Sequence, residues 1–168
     1  MDALRLDSQL CFALYAAARA MTQAYAKLLT PLGLTYPQYL VMLVLWEEDR
    51  LAVRQLGERL HLDSGTLTPL LKRLEAAGLL RRERDRADER VVRIHLTPAG
   101  RRLAQRARDI PRAVACSTGL SLPQLARLRG ELLHLTHTLR TAESPKEQHP
   151  CPPCTPPPPP PSEAARAT

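Results

Sequence analysis

The sequence predicts a mainly α-helical protein with a small β wing, arranged as a winged helix-turn-helix. Three patterns between Val53 and Gly100 support this fold class. The second helix of the helix-turn-helix carries leucines at helical spacing, namely Leu67, Leu70, Leu71 and Leu74. Asp63 or Ser64 can cap that helix, and Gly78 ends it as its C′ residue. The segment that follows alternates like a half-buried strand, whose buried face would hold Val92, Ile94 and Leu96.

The polar side of this unit carries the side chains that DNA binding requires. Away from its leucines, the second helix presents short hydroxyls and cations: Ser64, Thr66, Thr68, Lys72 and Arg73. Such side chains suit base edges and phosphates in the major groove. The hairpin is rich in arginine, at Arg81, Arg82, Arg84, Arg86 and Arg90. We therefore predict that this unit binds double-stranded DNA. The alternative is a small helical domain with a solvated basic hairpin.

The excess positive charge of the chain is concentrated on the same unit. The chain has 24 Lys and Arg residues against 17 Asp and Glu, a formal net charge of +7. Residues 50–112 hold 16 of the basic and 8 of the acidic residues, so this region carries +8 and the rest carries −1. A localised excess is expected of a surface that binds nucleic-acid phosphates.

Length and composition limit the other possibilities. A chain of 168 residues allows one domain of ordinary size, and 44% hydrophobic with 4% aromatic content favours a helical core of Leu and Ala. No apolar run approaches the roughly 18 to 20 residues of a membrane span, and the N-terminus lacks a signal-peptide layout. We therefore expect a cytoplasmic protein with reduced cysteines. No catalytic triad, phosphate-binding glycine loop or metal-ligand spacing is visible, so we expect no enzyme activity, cofactor or metal.

Two helices are predicted before the winged unit. The first should run from about Ser8 to Leu29, with Asp7 or Ser8 as its cap. The second is strongly apolar, and Thr35 could cap it ahead of a run that reaches Trp46.

Two more helices are predicted after it, followed by a tail. Thr97 and Pro98 should start a long helix that reaches about Cys116, and Ser121 should cap a last helix that runs through Leu139. Residues 7–142 would thus form the domain with its flanking helices, and residues 143–168 a disordered, Pro-rich tail. Within that tail, Cys151 and Cys154 form a CPPC without the strand and helix of a redox motif or the four ligands of a zinc site.

The outer helices carry more leucine than a monomer of this size buries easily. A homodimer would bury the surplus and present two recognition helices to a pseudo-palindromic operator, about one DNA turn apart. At this point the chain resembles the MarR family of dimeric transcription regulators. The wing carries Asp88-Glu89-Arg90 and then IHLTPAG, which is similar to the family's wing signature. The resemblance implies that Arg90 is the wing-tip arginine of the minor groove and that Asp88 orients it.

Cys11 lies in the first turn of the first predicted helix, where the helix dipole favours a thiolate. The segment from Leu10 to Asp49 resembles the organic-hydroperoxide-sensing, OhrR-type branch of MarR proteins. That resemblance implies that Cys11 is the peroxide-reactive thiol and that Tyr25 and Tyr36 donate hydrogen bonds to it. Fourteen helical residues separate Cys11 from Tyr25, about 21 Å, so Tyr25 would have to come from the partner chain.

Tyr15 and Cys116 complete the predicted thiol site. Tyr15 follows Cys11 by one helical turn and shares its face. Cys116 resembles the second cysteine of two-cysteine members of the branch, in which the other subunit's thiol resolves the sulfenic acid into a disulfide. Alternatively, Cys11 is a small apolar core residue, Cys116 is an incidental helix-end thiol and the tyrosines only pack.

Three functional hypotheses therefore compete. The favoured one is a DNA-binding repressor that organic hydroperoxides release from its operator. The second is a MarR-type regulator that a small ligand controls, in the cleft between the dimer helices and the winged unit, with no redox chemistry. The third is a thiol peroxidase with a basic surface, for which the sequence shows no peroxidase scaffold.

Overall fold

The structure, a computed structural model, describes residues 4–85 and 87–142. Within these residues the chain forms α1 (Leu10–Leu29), α2 (Tyr36–Glu47), α3 (Val53–Leu60), α4 (Ser64–Ala76), β1 (Leu80–Arg84), β2 (Val92–Leu96), α5 (Pro98–Ala107), α6 (Ile110–Ser117) and α7 (Leu122–Thr141). Short 3₁₀ turns at Leu6–Ser8 and Thr30–Leu32 flank α1. The predictions for Arg86 and for the tail of residues 143–168 lie outside the described residues.

Helix α2 is the centre of the first compact unit, which ends at Leu120. Its buried side chains are Gln38, Tyr39, Val41, Met42, Val44 and Leu45, and a helix that is apolar on most sides belongs in a core. Thr35 precedes the helix, and its backbone N–H donates to the Gln38 side chain over 2.8 Å. This capping box confirms the predicted start of the helix.

The helix-turn-helix has the caps that its sequence predicts. The Asp63 carboxylate accepts the Thr66 backbone N–H over 2.9 Å at the start of α4. At the other end Gly78 adopts φ 70°, a left-handed conformation that glycine tolerates at no steric cost. The Leu79 N–H then bonds the Leu74 carbonyl over 3.0 Å and closes the helix. The leucine stripe is buried through Leu67, Leu71 and Leu74.

Strands β1 and β2 form the predicted antiparallel hairpin, in which Leu80 pairs with Leu96 and Arg82 with Ile94. One face enters the core, where Leu80, Ile94 and Leu96 are buried, and Val92 at the open end is half-buried. Alternation places the other face away from α4; that face comprises Arg81, Glu83, Arg93 and His95. The Ile94 N–H also bonds the Leu51 carbonyl over 2.9 Å, which joins the hairpin to the segment before α3.

The base of the hairpin is tied to α2 and α5. The Asp49 carboxylate accepts the Leu96 N–H over 2.8 Å and a guanidinium N–H of Arg101 over 2.6 Å. Burial alone would raise the pKa of Asp49, but these bonds and one from the Arg50 N–H outweigh it and lower the pKa. The Trp46 indole N–H donates to the Gly100 carbonyl over 2.9 Å.

Two helix boundaries differ from the predictions. Helix α1 begins at Leu10 instead of Ser8, because residues 6–8 form a 3₁₀ turn and Gln9 is extended. Asp7 and Ser8 therefore do not cap it. The single long helix predicted from Pro98 to about Cys116 is also wrong. It breaks into α5 and α6, because Pro111 lacks an N–H and its ring would clash with the carbonyl four residues earlier.

The second compact unit begins at Ser121 and contains α7. Ser121 caps the helix as predicted, and its N–H and hydroxyl both bond the Gln124 side chain. The helix exposes several large apolar side chains: Leu122, Leu128, Leu132, Leu133 and Leu139. In the described part of the chain no single helix is both long and apolar enough to cross a membrane; residues 10–32 meet the criteria only together with α2, across a 72° bend.

Gly100 offers a test of how the hairpin base is packed. A Cβ added there would lie 2.0 Å from the Leu79 carbonyl oxygen, so Gly100→Ala must displace backbone. We expect Gly100→Ala to lower the free energy of unfolding by about 1 to 3 kcal/mol. The loss should lie at the upper end of this range, because the clash is with the main chain. Urea denaturation followed by circular dichroism measures it.

Gly130→Ala in α7 is the matched control, because a Cβ there meets nothing within 4 Å. It should be neutral or stabilise the protein by up to about 1 kcal/mol, since alanine is the better helix former. Equal stabilities of Gly100→Ala and the wild type would show that the hairpin base is not tightly packed.

Candidate functional site

Helix α4 and the hairpin share one open surface. A cavity of about 510 Å³ lies between α3, α4 and the hairpin. Its wall includes Thr68 from α4 and Arg82 and Arg90 from the hairpin arm and tip. The predicted recognition helix and the predicted wing therefore border the same space, as they must in order to engage adjacent grooves of one DNA duplex.

The polar residues of α4 differ in how available their side chains are for contacts with DNA. Ser64, Lys72 and Arg73 are exposed, and no carboxylate in the described residues forms an ion pair with either cation. The Thr66 hydroxyl bonds Asp63 and the Thr68 hydroxyl bonds the Ser64 carbonyl, over 2.9 and 2.6 Å. The two threonines thus use their donors within the helix, and their oxygens remain as acceptors.

The tip of the hairpin is shaped by aspartates. The Asp88 side chain accepts the Arg90 backbone N–H over 3.0 Å, and the Val91 N–H bonds the Asp88 carbonyl over 2.9 Å. Asp88 therefore positions the backbone of Arg90, whose side chain is exposed at the tip. Arg84 is exposed at the end of β1. These bonds connect the backbone of residues 88–91, and the Arg90 side chain stays exposed.

Two ion pairs that the sequence did not reveal hold the hairpin arms. The Glu75 carboxylate at the end of α4 accepts the Arg82 backbone N–H over 2.9 Å and its Nε over 2.7 Å. These bonds hold the pKa of Glu75 below its usual value. At the open end, Arg93 pairs with Asp85, and this hydrogen bond, followed by one from the Ala87 N–H, lowers the pKa of Asp85.

The structure places Cys11 in the first turn of α1, as predicted, as an exposed free thiol. Tyr15 is one turn further along the same helix and is also exposed. Its hydroxyl accepts a guanidinium N–H of Arg19 over 2.8 Å, so the Tyr15 oxygen is held toward the next turn. Arg19 was not among the predicted site residues, although its spacing of four from Tyr15 is visible in the sequence.

Tyr25 and Tyr36 lie together at the far end of α1, with ring centroids 4.9 Å apart. Burial raises the pKa of both hydroxyls, and the neighbouring Tyr36 raises that of Tyr25 further. Both phenols are therefore protonated at neutral pH and can donate a hydrogen bond. Within one chain the length of α1 separates this pair from Cys11, as the helical rise predicts.

Tyr39 extends this aromatic pair into the core. Its ring lies 5.7 Å from that of Tyr25 and 6.1 Å from that of Trp46. Its hydroxyl is buried and has no hydrogen-bond partner in the described part of the chain. Burial, followed by the nearby Tyr25 and Tyr36, raises the pKa of Tyr39 to about 12. No sequence pattern distinguished Tyr39 from an ordinary core residue.

Cys116 lies near the end of α6 as an exposed free thiol. Helix α6 packs against α1 within the first unit and buries Ile110 and Val114, which leaves Cys116 on the outer side. No group of three or more His, Cys, Asp or Glu side chains that could hold a metal ion occurs in residues 4–85 and 87–142.

Comparison with protein families gives a clear match. Residues 23–107, half of the chain, match the family model described as transcriptional regulator SarA/Rot. The HTH-type transcriptional regulator TtmR of Methylorubrum extorquens is 56% identical over 138 residues, which cover 78% of this chain and 71% of TtmR. The organic hydroperoxide resistance transcriptional regulator of Bacillus subtilis is 49% identical over 138 residues, which cover 82% of this chain and 94% of that protein.

Solved structures give the same fold. Overoxidised AbfR bound to DNA matches with a TM-score of 0.65 and 40% identity over 80% of this chain and 95% of that chain. Disulfide-formed AbfR matches with a TM-score of 0.56 and 40% identity over 79% and 93% of the two chains. AbfR is from Staphylococcus epidermidis. The winged-helix architecture predicted from the sequence is confirmed.

The Glu75–Arg82 pair predicts a pH-dependent stability. Glu75→Gln removes a carboxylate that accepts two hydrogen bonds and should cost about 1 kcal/mol of unfolding free energy at neutral pH. Because the pKa of Glu75 is lowered in the folded state, this contribution is present above the unfolded value of about 4.5 and is lost as pH falls below it. Urea denaturation of both proteins across that range measures the difference.

Glu131→Gln is the control, since Glu131 pairs with Arg127 on the exposed surface of α7. It should leave stability unchanged at every pH. A difference between Glu75→Gln and the wild type that does not shrink in acid would assign the loss to packing and not to the carboxylate.

Proposed function

The chain belongs to the SarA/Rot-type, MarR-like family of winged-helix transcriptional regulators, and we propose that it represses transcription until organic hydroperoxides oxidise Cys11. Its relatives are transcriptional regulators. The oxidised protein would release its operator. We propose that this regulation takes place in the cytoplasm, where the DNA is. We assign it to residues 7–142 of the chain.

One observation carries the DNA-binding part of the proposal. Thr68 of α4 and Arg90 of the hairpin tip line the same cavity, so a major-groove helix and a minor-groove cation are presented on one side. Lys72 and Arg73 add exposed positive charge beside them. Arg54 and Arg82 also line the cavity, but Arg54 pairs with Glu58 over 2.9 Å and Arg82 with Glu75 over 2.7 Å, so Lys72, Arg73 and Arg90 are the cations proposed to meet the phosphates.

A second copy of the chain is the proposed partner in binding DNA. Helix α1 exposes large apolar side chains at Leu10, Phe12, Met21 and Leu28, and α7 exposes five leucines. Exposed apolar surface on this scale marks a protein interface. A two-fold dimer that covers these faces would present two winged units to the half-sites of a pseudo-palindrome.

The sensing step proposed for Cys11 is a two-electron oxidation of its thiolate. The sulfur attacks the terminal oxygen of the hydroperoxide, the O–O bond breaks, and the products are a sulfenic acid and, after protonation, an alcohol. Cys11 is an exposed free thiol in the first turn of α1, so a hydroperoxide can reach its sulfur.

Tyr25 and Tyr36 of the partner subunit are proposed to donate hydrogen bonds to the Cys11 sulfur. Their raised pKa values keep both phenols protonated, and their rings are already paired in one place. Two converging donors would stabilise the thiolate and hold it for attack. Tyr15, which Arg19 engages, would flank the sulfur on its own helix.

Cys116 of the partner subunit is proposed as the resolving thiol. Its sulfur attacks the sulfenic acid, forms an S–S bond and releases water. A disulfide tolerates only about 4.4 to 6.8 Å between Cα atoms, so a longer reduced-state gap must be closed by moving the helices. Since α6 packs on α1 and the winged unit is attached to α5, the half-site spacing would change.

A small-molecule-controlled regulator is the second candidate. The cavity of about 510 Å³ is of the size of ligand pockets, and its wall combines Val53, Leu71 and Val92 with Arg82. An organic anion bound there would compete directly with DNA. This location differs from the cleft between the dimer helices and the winged unit, which was the ligand site expected from the sequence.

The DNA-binding surface can be tested at two positions. Arg90→Ala removes the proposed minor-groove cation and should weaken operator binding by about 1 to 3 kcal/mol. Lys72→Ala should instead reduce the slope of log K against log salt concentration by about one unit, the effect of one lost phosphate contact. Fluorescence anisotropy with operator DNA over a salt series measures both. Arg140→Ala in the last turn of α7 is the charge-matched control; an Arg90→Ala affinity equal to that of this control would reject the assignment of the wing.

The redox switch can be tested with purified dimer, operator DNA and a titration of an organic hydroperoxide. Wild-type protein should leave the DNA with stoichiometric loss of thiol and should give a covalent dimer on non-reducing gels. Cys11→Ser should stay on DNA at every dose, because no sulfenic acid forms. Its release by peroxide would disprove the mechanism.

Further variants separate the alternatives. Cys116→Ser should lose the covalent dimer; if it still releases DNA, a small-molecule thiol takes the resolving role. Tyr25→Phe should respond more slowly, whereas Tyr39→Phe, which removes a hydroxyl without a partner in the described residues, should respond like the wild type. Indifference of the wild type to peroxide would favour ligand control, and repeated turnover of peroxide would favour a peroxidase.

A further inference from the structure

A second basic cavity lies at the base of the hairpin, on the face that points away from α4. Its volume is about 400 Å³, and its lining residues are Arg50, Arg81, His95, Leu96, Thr97, Pro98 and Arg101. Arg81 and His95 are direct cross-strand partners on β1 and β2, so both project to the same face. Arg50 comes from the loop after α2, and Arg101 from the first turn of α5.

The cations around this cavity outnumber the carboxylates next to them. Arg81 lies 3.5 Å from Glu83, and Arg101 bonds Asp49 over 2.6 Å. For the Arg50 guanidinium no ion pair is found within the described residues. Three guanidinium groups therefore face two carboxylates, and the Asp49 carboxylate is already bonded to the Leu96 N–H. The cavity retains a net positive charge for an anion to neutralise.

The start of α5 adds to the positive electrostatic potential of the cavity. Thr97 caps the helix by accepting the Gly100 N–H over 3.1 Å, and both Thr97 and Pro98 line the cavity. The N-terminal end of a helix carries a partial positive charge, which favours phosphate and similar oxyanions. Pro98 has no N–H, and the N–H groups of Gly100 and Arg101 bond Thr97, so α5 contributes through this charge and not through a set of free N–H groups. The dipole and the guanidinium groups thus act on the same space.

The backbone of Arg50 gives an independent indication of a role. Its φ of 67° lies in the left-handed region, where glycine is unstrained and an L side chain is disfavoured. The exposed position of Arg50 would accept glycine sterically, yet the chain places an arginine there, beside the other two cations. A strained residue at a site is a reason to look for a function of its side chain.

We propose that this cavity binds a phosphate group, which Arg50, Arg81 and Arg101 hold as a three-guanidinium clamp at the start of α5. Guanidinium groups match the geometry of phosphate oxygens and bind them in pairs of parallel hydrogen bonds. Because the cavity is on the opposite face of the hairpin from α4, a free phosphate or phosphorylated small molecule fits it better than the operator that α4 would contact. The phosphate site is independent of the redox function proposed above, so either proposal can be rejected while the other stands.

Thermal unfolding of the full-length protein with inorganic phosphate, at constant ionic strength against chloride, tests the site. Phosphate should raise the Tm of the wild type, since a ligand that binds only the folded state stabilises it. Arg50→Gly and Arg81→Ala should abolish that shift. Arg112→Ala, which removes an exposed arginine of α6 away from the cavity, should retain it.

Arg50→Gly separates binding from folding. Without phosphate its Tm should equal or exceed that of the wild type, because glycine relieves the left-handed backbone, while its phosphate-induced shift should be lost. A phosphate-induced shift that is kept in both Arg50→Gly and Arg81→Ala would overturn the proposal.

DNA-binding measurements on the same variants decide the source of the phosphate. If the ligand is a free anion, Arg50→Gly and Arg81→Ala should bind operator DNA with wild-type affinity and salt dependence. If it is a phosphate of the DNA flanks, these variants should lose about one unit of salt slope on a long duplex but not on a minimal operator. A protein that shows neither the free-phosphate shift nor the flank effect has no phosphate site here.

Discussion

The hairpin of residues 80–96 is the element on which both candidate binding surfaces depend, and it cannot hold its position alone. A two-stranded hairpin is at best marginally stable in water, so its placement is decided by its attachments. Asp49 accepts the Leu96 N–H at the end of β2, and the Thr97 hydroxyl donates to the Gly78 carbonyl over 2.6 Å beside the start of β1. Both strands are thus fixed where they meet the helices, and the tip is left to project.

Fixing the hairpin at its base gives its two faces different neighbours. The face toward α4 places Arg82 against Glu75, which aligns the hairpin with the proposed recognition helix. The opposite face places Arg81 and His95 beside the start of α5, where the basic cavity forms. One register therefore produces a surface suited to DNA and a second, separate surface suited to a small anion. The same Asp49 that attaches β2 also bonds Arg101 of that second surface.

The thiol site is divided by the geometry of α1. Cys11 and Tyr15 lie near its start, and the Tyr25–Tyr36 pair lies where it meets α2. A straight helix cannot bring its own ends together, so the thiol site that we propose would need residues from two chains. The site would then be complete only when the two chains are paired in one arrangement. A switch between DNA-bound and released dimers needs such a dependence on chain pairing. Tyr39 and Trp46 continue the aromatic contacts from Tyr25 to the carbonyl of Gly100, beside the hairpin base.

The sequence by itself determined the features that have local causes. The caps at Thr35, Asp63 and Ser121 and the turn at Gly78 depend on neighbours within a few residues, and the alternation in β2 depends on period two. The break between α5 and α6 has a local cause as well, Pro111, which a prediction of one long helix overlooked.

Only the tertiary structure decided which distant residues meet. The bond that Arg82 donates to Glu75 crosses a turn, the bond that the Leu96 N–H donates to Asp49 spans 47 residues, and the basic cavity joins a loop, two strands and a helix. No periodicity relates such positions, because they are brought together by the packing of elements and not by the repeat of any one of them. Charge composition located the basic region of this protein, but its division into two opposite surfaces follows from the strand register and from the packing of α4, α5 and the loop after α2 around the hairpin.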